Sequence, residues 1–162
     1  MAIDSTFVPT IYRGWHDYQE ALTRAIAPLN AEQLSLRASS NVSSVRGIAA
    51  HVIGVRARWF YGQFGDGGDE FKAFCSWDKP AAKVWSAAEI VKGLEATWLG
   101  MQEAITRWTP KDWEQTWPGE DETEPAVVTR PWVLWHLIEH DLYHGGQIAI
   151  TLHAHGLPAL EL

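Results

Sequence analysis

The stretch that most constrains the fold is WVLWHLIEHDLYHGGQIAITLHAH, residues 132–155, whose apolar positions recur at helical rather than strand spacing. A helix this long must bury its apolar stripe against other helices or a sheet. It also carries His136, His140 and His144. Each four-residue step turns a helix about 40° past a full turn, so these three line up on one stripe, which Gln147 continues. A lone imidazole facing a core is usually a hydrogen-bonded core residue, but three in line have no packing rationale.

Three further helical patterns precede it. Ile11, Trp15, Tyr18, Leu22 and Ile26 predict an amphipathic helix over residues 10–27, stopped by Pro28. After an irregular connector, Ser43 or Ser44 caps a second helix. Its buried face is Val45, Ile48, Val52, Val55 and Trp59; it runs to about Phe64 and ends at Gly65, Gly67 and Gly68. Residues 65–85 show neither period, yet Phe71, Phe74 and Trp77 are too many aromatics for a freely solvated loop, so the stretch reads as functional or as a crossover. Ser86 opens a third helix, with Glu89 completing a capping box and Ile90, Leu94, Trp98, Met101 and Ile105 facing inward as far as Thr109. Residues 111–128 are expected to be loop, its acidic run of Glu120, Asp121, Glu122 and Glu124 forming a solvated tip. Thr129 caps the last helix, Pro131 fits its first turn, and Gly156 with Pro158 ends it. Four helical patterns and no convincing strand predict an all-α bundle, a single domain over residues 1–162.

Composition narrows the partners. A net charge of −7 and a pI near 5.4 leave no basic face for a phosphate backbone, which argues against nucleic acid. Ten tryptophans are several times the usual share, and most are expected in the core or on a pocket wall. The single cysteine, Cys75, has no internal disulfide partner, and the opening residues lack both a basic and an apolar leader region. No apolar run approaches the roughly 20 residues of a membrane helix. These features suggest a soluble cytoplasmic protein without a membrane partner.

The helical projection places His140 and His144 on the side of Val133, Leu137 and Ile148, and places His51 beside Ile48 and Val55. Two histidines at i, i+4 can chelate one ion, and a third ligand from another helix would complete a site with open positions. Neutral imidazole suits Zn²⁺ or Ni²⁺ better than Mg²⁺ or Ca²⁺. His136 can replace either partner of the pair, but its placement equally suits contact with substrate or support of the ligands, and it ranks below them. Gln147 is positioned to bond a bound water or substrate, or else to be a buried amide satisfied by backbone. His155 lies about 22 Å along the axis from His140, too far to share an ion. His153 points elsewhere, and His16 reads as structural or pocket lining. Arg56 and Arg58 read chiefly as solvated, with binding of a cofactor carboxylate as the alternative. Glu139 and Asp141 project about 100° away from His140, toward solvent or a neighbouring chain.

The segments GIAAHVIGVRARWF and WHLIEHDLYHGGQIAITL resemble the DinB-like superfamily of metalloenzymes over most of the chain, the His-x-x-x-His-Gly-Gly-Gln pattern being the more specific part. The resemblance implies a four-helix bundle with a long crossover between helices two and three. It also implies a metal held by His51, His140 and His144, a homodimer, and in some members a low-molecular-weight thiol as co-substrate. Gly145 stands where the family often has a basic residue. The expected function is a metal-dependent enzyme, an S-transferase or hydrolase acting on a small molecule. The alternative is a non-catalytic, metal-containing bundle that sequesters an apolar ligand in a tryptophan-lined pocket; a purely structural histidine cluster is the third reading.

Overall fold

A computed structural model describes residues 7–80, 82–119 and 124–162. Helix α1 spans Phe7–Ile26, α2 Val45–Ala57, α3 Gly68–Phe74, α4 Ala87–Arg107, α5 Pro110–Glu114 and α6 Arg130–Ala154. The four long helices are the four predicted ones. Helix α2 packs against both α4 and α6, and α1 closes the bundle against the same two. Their inner stripes meet in one core that includes Leu22, Ile26, Val52, Ile53, Leu94, Leu137 and Ile148, all fully buried. Each such side chain contributes roughly 1.5–3 kcal/mol relative to exposure.

The caps behave as their chemistry requires. Ser44 caps α2, its hydroxyl accepting from the Gly47 amide at 3.2 Å. Ser86 and Glu89 form the reciprocal capping box of α4, and Thr129 accepts from the Trp132 amide at the start of α6. Beyond Ala57 the second helix continues through Gln63 with wider turns, in which the Phe64 amide reaches back five residues to Trp59 O. Trp59, Gly62 and Gln63 of this widened segment line the site cleft.

Residues 65–85 form the crossover between the second and third long helices, and include the short α3, whose Phe71 and Phe74 are buried. Trp77 and Trp85 stack 3.8 Å apart across its end. Residues 111–128 depart from the expected loop. They include the end of α5, capped by Thr109 and Asp112, and a two-stranded antiparallel ribbon in which Trp117 faces Val128. Strands Thr116–Pro118 (β1) and Val127–Thr129 (β2) have three residues each, too few for a period of two to emerge from the sequence. Arg130 fixes this region: its guanidinium lies 4.7–5.1 Å from the ring centroids of Phe64, Trp108 and Trp117, and bonds the Asp112 carbonyl and the Gln115 side chain. Of the acidic run, Glu120, Asp121 and Glu122 lie outside the described residues, and Glu124 lines the cleft.

Trp15 and Trp98 are buried and meet edge to face 4.8 Å apart in the core, most of the other tryptophans are half-buried, and Trp135 is 56% exposed. Among the described residues, no helix is long and apolar enough to cross a membrane.

Candidate metal centre

His51 projects from the middle of α2 toward His140 and His144 on α6, and one nitrogen from each of the three lies within 4.8 Å of the others. The Nε2 atoms of His51 and His140 are 3.2 Å apart. That matches one edge of a tetrahedron around an ion with metal–nitrogen bonds of about 2.0–2.1 Å, which is about 3.3 Å long.

The partners of the outer nitrogens decide what the inner ones offer. His51 Nδ1 lies 2.7 Å from Asp78 Oδ2. Burial pushes the Asp78 carboxyl up, but its bonds to Arg58 and His51 win and hold it at about 2. Asp78 is therefore an ionised acceptor for the proton on His51 Nδ1, and that bond turns Nε2 toward His140. His144 Nδ1 donates to Gln147 Oε1 at 2.8 Å, leaving its own Nε2 bare. Burial pushes His144 down to about 4, against the Gln147 bond, so the ring is neutral near pH 7. His140 is likewise lowered, chiefly by burial. Its Nδ1 is buried without a hydrogen-bond partner, 4.0 Å from Asp141 Oδ1. Three imidazoles with converging nitrogens form a donor set that could bind a metal ion.

Two aspartate–arginine pairs stand behind these rings. Arg58 forks onto both oxygens of Asp78 at 2.8 and 2.9 Å and bonds the Cys75 carbonyl at 2.8 Å. Gly54 makes room for this pair, since a Cβ there would lie 2.9 Å from Arg58 Nη1 and from Asp78 Oδ1. Arg56 and Asp141 form the second pair, at 2.7 Å and without solvent exposure. Burial raises the Asp141 carboxyl, yet Arg56 and the surrounding hydrogen bonds bring it below its usual value. Trp15 Nε1 donates to the same carboxylate at 2.7 Å, and Gln19 Oε1 accepts from Arg56 at 2.8 Å.

Several expectations are corrected here. Arg56 and Arg58 are not chiefly solvated; each is committed to an aspartate. Asp141 faces neither solvent nor a neighbouring chain. It shares its stripe with Leu137 and Ile148, a signal present in the sequence, because positions i−4 and i+7 lie within about 40° of it. Glu139, in contrast, does face solvent as expected, and pairs with His136 Nδ1 at 3.2 Å. Gln147 bonds a histidine rather than the backbone. Asp78 was not singled out at all, and no spacing could have found it, since it reaches the site from the irregular crossover.

His136 stays outside the triad. Its ring stacks on Trp132 at 5.0 Å and 5°, and it lines a cleft of about 740 Å³ with His51, His140, Arg58, Trp59 and Glu124. His16 instead lies against Trp98, and His155 bonds the Thr151 carbonyl. Gly145 is buried beneath Tyr18: a Cβ would fall 2.1 Å from the Tyr18 hydroxyl, which bonds Leu142 O, so no longer side chain fits there without moving Tyr18.

The fold and the cluster together define an all-α bundle with a three-histidine group suited to a metal ion. The sequence profile of the DinB family matches residues 3–161, and the chain belongs to that family. A crystal structure of a DinB-like protein from Bacillus cereus shares the fold, with a TM-score of 0.70 and 22% identity over 93% of this chain and 94% of that one. Among curated proteins none matches the sequence.

Proposed function

We propose that this protein is a metal-dependent enzyme acting on a small molecule, with Zn²⁺ or Ni²⁺ held by His51, His140 and His144. The observation that carries this reading is the convergence of three imidazoles beside a 740 Å³ cleft. A bound cation would lower the pKa of a thiol or water and so supply a nucleophile at neutral pH. Asp78 would hold the His51 ring and raise its basicity, and Gln147 would do the same for His144. His136 and Trp59 form an aromatic wall against which a substrate can lie, with Trp132 stacked on His136 and Glu139 fixing its ring. Transfer of a low-molecular-weight thiol is the preferred reaction and hydrolysis the second; family resemblance supports the thiol. A homodimer accords with the exposed apolar residues Trp135 and Leu142 on α6.

Metal analysis of protein purified without an affinity tag tests the centre. The parent should carry near-stoichiometric metal, and His51→Ala and His140→Ala should each lose it; equal metal in all three proteins would sink the assignment. Incubation with a bacterial thiol and a panel of electrophiles, read by mass spectrometry, tests the reaction. A metal-loaded protein that forms no adduct and releases no hydrolysed product is instead a ligand-binding bundle.

A further inference from the structure

His51 lines three cavities, two of them charged: the cleft on the His140 side and a smaller one of about 300 Å³ bearing Arg46, Asp78 and Lys83. The 740 Å³ cleft on the His140 side carries charged groups, Arg58 and Glu124. The third cavity, about 380 Å³, reaches His144 and Gln147, and no Asp, Glu, Lys or Arg lines it. Val42, Ile48, Tyr143 and Ile150 supply its apolar walls, and Ser43, His51, His144, Gln147 and Thr151 its polar ones. Two of its polar groups are committed: Thr151 donates its hydroxyl to the Gln147 carbonyl, and Gln147 Oε1 accepts from His144. Tyr143 and Ile150, on the same side of α6 at a spacing of seven, are each 65% exposed at the rim. At ~30 Å³ per water-sized group, the space takes roughly a dozen non-hydrogen atoms.

An uncharged wall, an apolar rim and two imidazoles at one end describe a small amphiphile. We propose that this cavity binds the apolar body of an uncharged small molecule whose polar end lies against His51 and His144, so that the centre receives two ligands through separate mouths. The inference rests on the proposed function for its second ligand, the one in the charged cleft. It explains why a two-substrate site would differ so sharply in polarity on its two sides: a hydrophilic co-substrate and an apolar one are sorted before they meet.

The test is calorimetric titration of the full chain with straight-chain primary alcohols from ethanol to octanol, both metal-free and loaded with Zn²⁺. Affinity should rise about fourfold per added methylene through octanol, which is still shorter than the space allows. Val42→Asp and Ile150→Asp should flatten the series. Both positions are solvent-accessible, so the substitutions leave the core intact. Trp59→Ala, in the other cleft, should leave the series unchanged. Magnetization transfer from the octanol methyl group to the Tyr143 ring is expected in the parent and locates the chain independently of the variants. A flat series in the parent, or a series that Ile150→Asp does not alter, would overturn the proposal. So would a dimer whose second copy covers Tyr143 and excludes the alcohols. Zn²⁺ titration in the same calorimeter separates the two readings: lost Zn²⁺ binding with an intact alcohol series removes the enzyme and keeps the cavity, whereas the reverse removes the cavity alone.

Discussion

Arg56 and Arg58 stand two residues apart on one helical segment, and each clasps an aspartate beside a histidine of the centre, yet the two pairs do different work. Arg56 and Asp141 are sealed from water. Trp15 and Gln19 of α1, Arg56 of α2, the Leu94 carbonyl of α4 and Asp141 of α6 meet there, so the pair ties the four long helices together. Arg58 and Asp78 sit at the edge of the cleft, with the Arg58 side chain about one-third exposed, and their hydrogen bonds end on one imidazole nitrogen. Burial decides the difference. A sealed pair whose partner is removed leaves a charge that nothing satisfies, whereas a pair near water is replaceable by solvent.

The largest effect should therefore come from splitting the sealed pair. Arg56→Ala or Asp141→Ala should each lower unfolding free energy by about 3–5 kcal/mol in urea titrations. A comparable loss in Asp78→Ala would break the contrast. Replacing both members, Arg56→Met with Asp141→Leu, should restore much of that loss, because no buried charge remains unpaired. The residual deficit would measure what Trp15 and Gln19 lose as their partners disappear, about 1–3 kcal/mol per unsatisfied group.

Asp78→Asn sharpens the other side. It should weaken Zn²⁺ binding by about 10–100-fold in competition with a chromogenic chelator, while stability falls by no more than about 1 kcal/mol. Unchanged metal affinity would leave Asp78 a surface pair with no role at His51.

The smallest effects are in pH dependence. His144 sits at about 4 in the folded chain, below the ordinary histidine value of about 6.5. The unfolded chain binds the extra proton first, so metal-free protein should lose stability as pH falls from about 6.5 through 4. His144→Gln should reduce that slope. Both aspartates are depressed as well, Asp78 to about 2. Their contribution is intact above about pH 4 and is lost as pH falls through the folded values, Asp78→Asn removing its share.

Much of this was legible in the sequence because helices repeat. The stripes of α1, α2, α4 and α6 and the inward placement of His51, His140 and His144 follow from 3.6-residue periodicity, the Ser86 capping box follows from its cap spacing, and family resemblance joined the three histidines. The charged residues behind them were harder. Asp141 and Arg56 lie on apolar stripes, but a charge at such a position reads as a boundary until its partner on another helix is known. Asp78 depends on the path of the crossover, and the ribbon depends on Arg130 finding Phe64, Trp108 and Trp117, which are scattered along the chain. Tertiary contact, rather than local pattern, decides such elements.

The first helix contributes none of the three histidines, yet it cannot be dispensable. Trp15 and Gln19 supply the outermost hydrogen bonds of the sealed ion pair. A shortened chain beginning after Pro28 would keep every candidate ligand and still admit solvent to Arg56 and Asp141. Such a fragment would hold its chemistry in a frame that had lost its fourth wall.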